Sequence, residues 1–240
     1  MTTRAATVRP HPPTPGTLID LSMPIVEHWR FPVRFEHTEH VAEGQPFYST
    51  SMRIGAHSFT HVDSPRHVRP DGAPLGEVDL GRLWGEAAVV DLSPLGDDAA
   101  ISADDLDTAG RHVQSGDIVL LRSDHELRHP TTTPEYWTAA PYVSASAAHW
   151  LADREVRAVG FDFPQDRATR SPYQDGFTRH ALGQDEDWAC HHLLLDRGIP
   201  QIEYLSNLRS LPDPRVLFFA LPLNLPDHDG APTRAFAVLS

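Results

Sequence analysis

The chain has 240 residues, a length that suits one domain and lets it bury most of the surface its unfolded form exposes. Asp and Glu number 33 against 20 Lys and Arg, a net charge of −13, which argues against nucleic-acid binding and against docking on an anionic membrane. A single cysteine, Cys190, excludes an internal disulfide and a polythiolate zinc site, whereas 15 His raise the prospect of metal chemistry, imidazole being the commonest metal ligand.

Residues 1–16 are rich in Pro and Thr and read as a disordered tail. They carry no apolar run of signal-peptide length, and no later window approaches the roughly 18 apolar residues of a membrane span. A cytoplasmic location is the expectation. Thr17–Ser22 is a short apolar strand stopped by Met23-Pro24. Residues 25–50 mix Trp29, Phe31, Phe35 and Phe47 with His and Glu, and Glu36-His37-Thr38-Glu39-His40 reads as a solvated loop that matches no zincin spacing. Tyr48 to Val62 is rich in Ser, Thr and aromatics and reads as extended.

Trp84–Leu92 is a buried strand, Ser102 caps a helix with acids in its first turn, and Asp117–Leu121 is a second buried strand. Ser144–Glu155 has helical apolar spacing and leads into a strand at Val156–Asp162. Trp188–Arg197 reads as a helix closed by Gly198, with Cys190 as its buried thiol. Short strands follow at Pro200–Tyr204, Val216–Leu223 and Arg234–Leu239, and Asp227–Gly230 reads as a turn. With 22 Pro, long helices are few. The alternation predicts an α/β domain over residues 17–240.

The densest chemistry is His57-Ser58-Phe59-Thr60-His61-Val62-Asp63-Ser64-Pro65-Arg66-His67. Phe59, Thr60 and Val62 favour a strand, and alternation along a strand puts His57, His61 and Asp63 on one face. Two imidazoles and a carboxylate on one face bind a divalent ion, with zinc and manganese both suited, and a carboxylate also bridges two ions. His67, beyond Pro65, is placed to shuttle protons. The same residues also fit the polar face of a solvated edge strand.

This segment resembles the H-x-G-T-H-x-D-x-P-x-H signature of the cyclase family of metal-dependent hydrolases, the group of kynurenine formamidase and isatin hydrolase. Further matches follow in order. They are Ile19-Asp20-Leu21-Ser22 with Pro24, Val159-Gly160-Phe161-Asp162, His191–Leu195 with Gly198–Glu203, Ala220–Leu223 and Asp229–Arg234. The resemblance implies a single-domain α/β fold with a swivelling β/β/α barrel-like core. It implies one metal on His57, His61 and Asp63 and a second on Asp63, His191 and Glu203, so one or two Zn²⁺ or Mn²⁺ per subunit. His67 becomes the acid/base residue. The spacing of 12 from His191 to Glu203 is the family's own, and His192 would break it. Read without the resemblance, His191 is a helix-surface residue.

Phe59 stands where the signature has Gly. It either reshapes the substrate pocket with an aromatic ring or packs into the core. Trp29 and Phe31 lie where relatives place substrate-contacting aromatics, and either also reads as a plain core residue. The implied activity is metal-dependent hydrolysis of an amide, lactam or related ester of a small, aromatic substrate. A silent small-molecule or metal binder and a biosynthetic cyclase or dehydratase are the other readings. A homodimer or higher homo-oligomer is expected from the resemblance alone.

Overall fold

A computed structural model describes residues 16–178 and 184–239. Almost the whole predicted tail, residues 1–15, lies outside the described residues. Gly16 is inside them, and its N–H donates to the Leu239 carbonyl at 2.7 Å.

In chain order the strands are β1 (Leu18–Asp20), β2 (Arg34–Glu39), β3 (Ser49–Arg53), β4 (His61–Asp63), β5 (Trp84–Asp91), β6 (Ala100–Ile101) and β7 (Ile118–Arg122). They continue with β8 (Tyr142–Val143), β9 (Ala158–Phe161), β10 (Gln201–Glu203), β11 (Arg215–Phe219), β12 (Gly230–Pro232) and β13 (Phe236–Val238). The helices are short: α1 (Ala103–Ala109), α2 (His125–Arg128), α3 (Glu135–Thr138), α4 (Ala145–Asp153) and α5 (Gln184–Asp187).

Nine strands form one mixed sheet in the order β1-β13-β11-β5-β7-β9-β10-β4-β12. The central β5, β7, β9 and β10 run parallel, and the flanking pairings are antiparallel. Bridges between Ser22 and Leu205 and between Pro222 and Thr233 tie distant parts of the sheet together. The sheet therefore curls into a nearly closed half-barrel with helices outside it, the barrel-like α/β fold expected from the sequence.

Parallel strands covered on both faces need apolar residues on both. In β7, Ile118 and Leu120 pack inside the curl with Leu21, Val62, Ile202 and Phe218, while Val119 and Leu121 face Leu106, Trp150 and Leu151 of the outer helices. Ser102 caps α1 in a capping box with Asp105. A third cluster is aromatic and joins Met23, Phe31, Phe59, Tyr136, Trp137 and Tyr204. No helix among the described residues is long and apolar enough to cross a membrane.

Three local expectations need correction. Glu36–His40 is not a loop, because Arg34–Glu39 pairs antiparallel with β3 and the His37 ring bonds the Thr50 hydroxyl at 2.9 Å. Tyr48–Val62 is not one extended run, because a turn at residues 56–57 separates β3 from β4. Trp188–Arg197 is not a continuous α-helix. Cys190–Leu194 is a π-helical turn, followed by a 3₁₀ turn at Leu195–Arg197 and a left-handed Gly198 at φ 76°. The Asp166 carboxylate accepts from the backbone N–H groups of Cys190 and His191 and so caps the start of this turn.

Candidate metal centre

The register of β4 against β10 builds the site. His61 lies directly opposite Glu203 and Asp63 opposite Gln201, so His61, Asp63 and Glu203 share one face. His57 reaches them from the preceding turn rather than from the strand, so the alternation argument holds for His61 and Asp63 but not for His57. Its Nδ1 lies 2.6 Å from Asp63 Oδ1. That approach needs Gly230 on β12, where a Cβ would lie 2.7 Å from His57 Cε1.

His191 enters from the π-helical turn. Its Nε2 lies 3.9 Å from Asp63 Oδ2 and 3.8 Å from Glu203 Oε1. His192 points away, 36% exposed at the side chain and 3.7 Å from Asp185. His67 stacks on His57 with ring centroids 3.9 Å apart.

Second partners orient each imidazole. His61 Nδ1 donates to the Phe59 carbonyl at 2.8 Å, which leaves Nε2 3.1 Å from Asp63 Oδ1 and 3.7 Å from Glu203 Oε2. His191 Nδ1 donates to Asp166, and Gln165 donates to Glu203. Asp229 Oδ2 accepts from His57 Nε2 at 2.7 Å and from His67 Nδ1 at 3.2 Å. Carboxylate-to-histidine contacts of this kind fix ring orientation and tautomer at metal sites.

The electrostatics ask for positive charge. Burial alone would lower His57 and His191. The Asp63 and Asp229 carboxylates instead lift His57 to about 9, and Asp166, Glu203 and Asp63 lift His191 to about 10. Burial would raise Asp63, but His61 and His57 hold it well below the usual carboxylate range. Burial and the Asp63 charge raise Glu203. His67 moves the other way, lowered by burial and by the charges of His57 and His191.

The residues fit a divalent ion. His61 Nε2 and Asp63 Oδ2 are buried with no hydrogen-bond partner, and both face the centre of the cluster. Buried polar atoms are almost always hydrogen-bonded, so a ring nitrogen and a carboxylate oxygen left without hydrogen bonds on facing groups are consistent with a cation site. The donor sets His57–His61–Asp63 and Asp63–His67–His191 each bring their ligand atoms within 4.8 Å of one another. Imidazole and carboxylate together suit zinc and manganese alike.

The cluster opens into a pocket of about 290 Å³ whose walls include Arg30, Thr169, Trp188 and Tyr204. The three predicted substrate aromatics do not line it. Phe59 is 1% exposed and packs against Phe31 beneath the site, and Trp29, 44% exposed, stands outside it against Tyr173. Phe59 adopts φ 58°, the left-handed region open to Gly at little cost, so the signature's glycine answers a backbone demand that Phe meets under strain. Its ring fills the core and does not reshape the pocket. Tyr204, next to Glu203, is likewise left-handed at φ 54°.

Asp166, Asp229, Gln165 and Arg30 were not singled out from sequence. Asp229 opens the Asp229–Arg234 match but reads there as part of a turn, and Asp166 has no partner within reach along the chain. Cys190 is fully buried, and burial pushes its thiol well up, in keeping with an inert core thiol.

A family model described as "Putative cyclase" matches residues 19–165. The chain is 27% identical over 222 residues to the kynurenine formamidase of Bacillus cereus, covering 90% of this chain and 95% of that protein. It is 31% identical over 190 residues to the kynurenine formamidase of Salinibacter ruber, covering 77% of each. Isatin hydrolase A from Labrenzia aggregata, solved with benzyl benzoate, shares the fold with a TM-score of 0.73 at 21% identity, over 93% of each chain.

Proposed function

This chain belongs to the cyclase family of metal-dependent hydrolases, and from that premise we propose that it cleaves an amide, lactam or related ester or lactone bond of a small aromatic substrate. The observation that carries the reading is the pair of buried ligand atoms without a hydrogen bond, His61 Nε2 and Asp63 Oδ2, in the wall of an open pocket. His57, His61 and Asp63 would hold one divalent ion, zinc or manganese, and Asp63, His191 and Glu203 a second. An ion bound there supplies Lewis acidity that polarises the substrate carbonyl and acidifies water towards neutrality.

The chain's own groups do the rest. Burial lowers the His67 imidazole and so favours its neutral, proton-accepting form. Its Nδ1 is held by Asp229, so Nε2 is the ring atom available to the pocket it lines. Nε2 takes a proton as the water oxygen bonds to the carbonyl carbon. It then gives that proton to the nitrogen or oxygen that leaves when the C–N or C–O bond breaks. Asp63 and Glu203 offset the charge of the bound ion.

The test is metal content together with a screen of formanilides, isatin-like lactams and lactones. Chelation should abolish hydrolysis, and zinc or manganese should restore it. Full activity after thorough metal removal overturns the proposal.

A further inference from the structure

Arg30 brings a permanent positive charge to a pocket that offers it no counter-ion. No ion pair among the described residues involves Arg30. The two carboxylates on the pocket wall, Asp63 and Glu203, face the histidine cluster instead. The guanidinium is held by rings: its Cζ lies 4.9 Å from the Tyr173 centroid, 5.2 Å from Trp137 and 5.6 Å from Phe31. Such stacking fixes the group in place and uses none of its N–H donors. Arg30 Nε is buried with no acceptor.

A second donor nearby has the same defect. Trp137 is fully buried, and its Nε1–H makes no well-formed hydrogen bond. Indole and guanidinium are donor-only groups. Both direct their donors towards the Tyr204 phenol. Tyr204 lines the pocket, with its ring centroid 5.5 Å from that of His61. Arg30 and Tyr204 thus line the pocket beside the proposed reaction centre, and an anion to balance the guanidinium has to come from the ligand.

We propose that Arg30, with Tyr204, forms an anion subsite, and that the substrate carries a carboxylate or comparable anionic group on or beside its aromatic ring. The word "substrate" rests on the hydrolase reading; the subsite does not. The pocket's volume of about 290 Å³ suits a single-ring compound.

The test separates the two ideas by measuring binding rather than turnover. Benzenesulfonate pairs with a guanidinium but coordinates metals poorly, and phenyl methyl sulfone is its neutral counterpart. Calorimetry on the purified protein should find the sulfonate bound at least about tenfold more tightly, because charge-assisted hydrogen bonds are worth that much. Arg30→Gln should remove the preference and leave sulfone binding unchanged. Arg30→Lys should retain part of it, and decides the matter if Arg30→Gln does not fold. Equal binding of the two probes, no binding of either, or a preference that survives in Arg30→Gln overturns the subsite. Sulfonate selectivity through Arg30 in a protein that hydrolyses nothing would retain the subsite and remove the hydrolase reading.

Discussion

His191 donates from Nδ1 to the buried carboxylate of Asp166, and this one contact turns its Nε2 towards Asp63 and Glu203. Asp166 also accepts the backbone N–H of Cys190 at 2.8 Å, so it anchors the start of the π-helical turn and orients the ring at once. Asp166→Ala should therefore lower metal affinity by about 10–100-fold, a usual effect of losing a carboxylate behind a ligating histidine. Competition with a chelator measures it. An affinity equal to that of the parent would show that the turn alone positions His191.

Asp229 bridges His57 and His67 through one oxygen. Asp229→Ala should cut kcat by about 10–100-fold, since His67 loses the group that fixes its ring. Metal affinity should fall less than kcat, because Asp229 supports one ligand, His57, and leaves His61, Asp63, His191 and Glu203 untouched. Parallel assays of metal-to-protein ratio and kcat distinguish the two effects. An equal loss of both would make Asp229 a metal-site residue rather than a guide for the proton carrier.

Phe59 combines a fully buried ring with a left-handed backbone. Phe59→Ala should destabilise the fold by about 3–5 kcal/mol through the cavity it leaves. Phe59→Gly leaves the same cavity but relieves the backbone, so it should be more stable than Phe59→Ala by about 1 kcal/mol. Urea denaturation of both variants checks the order. A glycine variant less stable than the alanine variant would show that φ at this position costs nothing.

His125 is fully buried and its Nε2 bonds the Tyr136 carbonyl at 3.0 Å. Burial lowers it to about 4. Between that value and about 6.5 the unfolded chain binds the extra proton and the folded chain does not. Stability from this group is complete above about pH 6.5 and is lost as pH falls towards 4, by up to about 3 kcal/mol. His125→Gln should flatten that stretch of the stability–pH curve. An unchanged slope in the variant would assign the acid loss to other groups.

What the sequence determined by itself was local. The apolar runs at β5, β7 and β9 and the Ser102 cap are legible because period and capping chemistry are properties of neighbouring residues. His61 and Asp63 are legible for the same reason, since alternation along β4 puts them on one face. Resemblance to a family extended this to His191 and Glu203, whose spacing is kept along the chain.

Tertiary structure decided the rest. His57 joins the cluster from a turn, where alternation has no force. Asp166, Asp229 and Arg30 come from segments far from the signature, and only the curling of the sheet and the closure of its loops bring them to the pocket. The same closure gives Phe59 its place. A sequence names the residue at a glycine position, but the backbone angle and the surrounding core determine whether its ring faces a substrate or the interior. Here Phe31 and Tyr204 pack around it, and the ring lies in the interior.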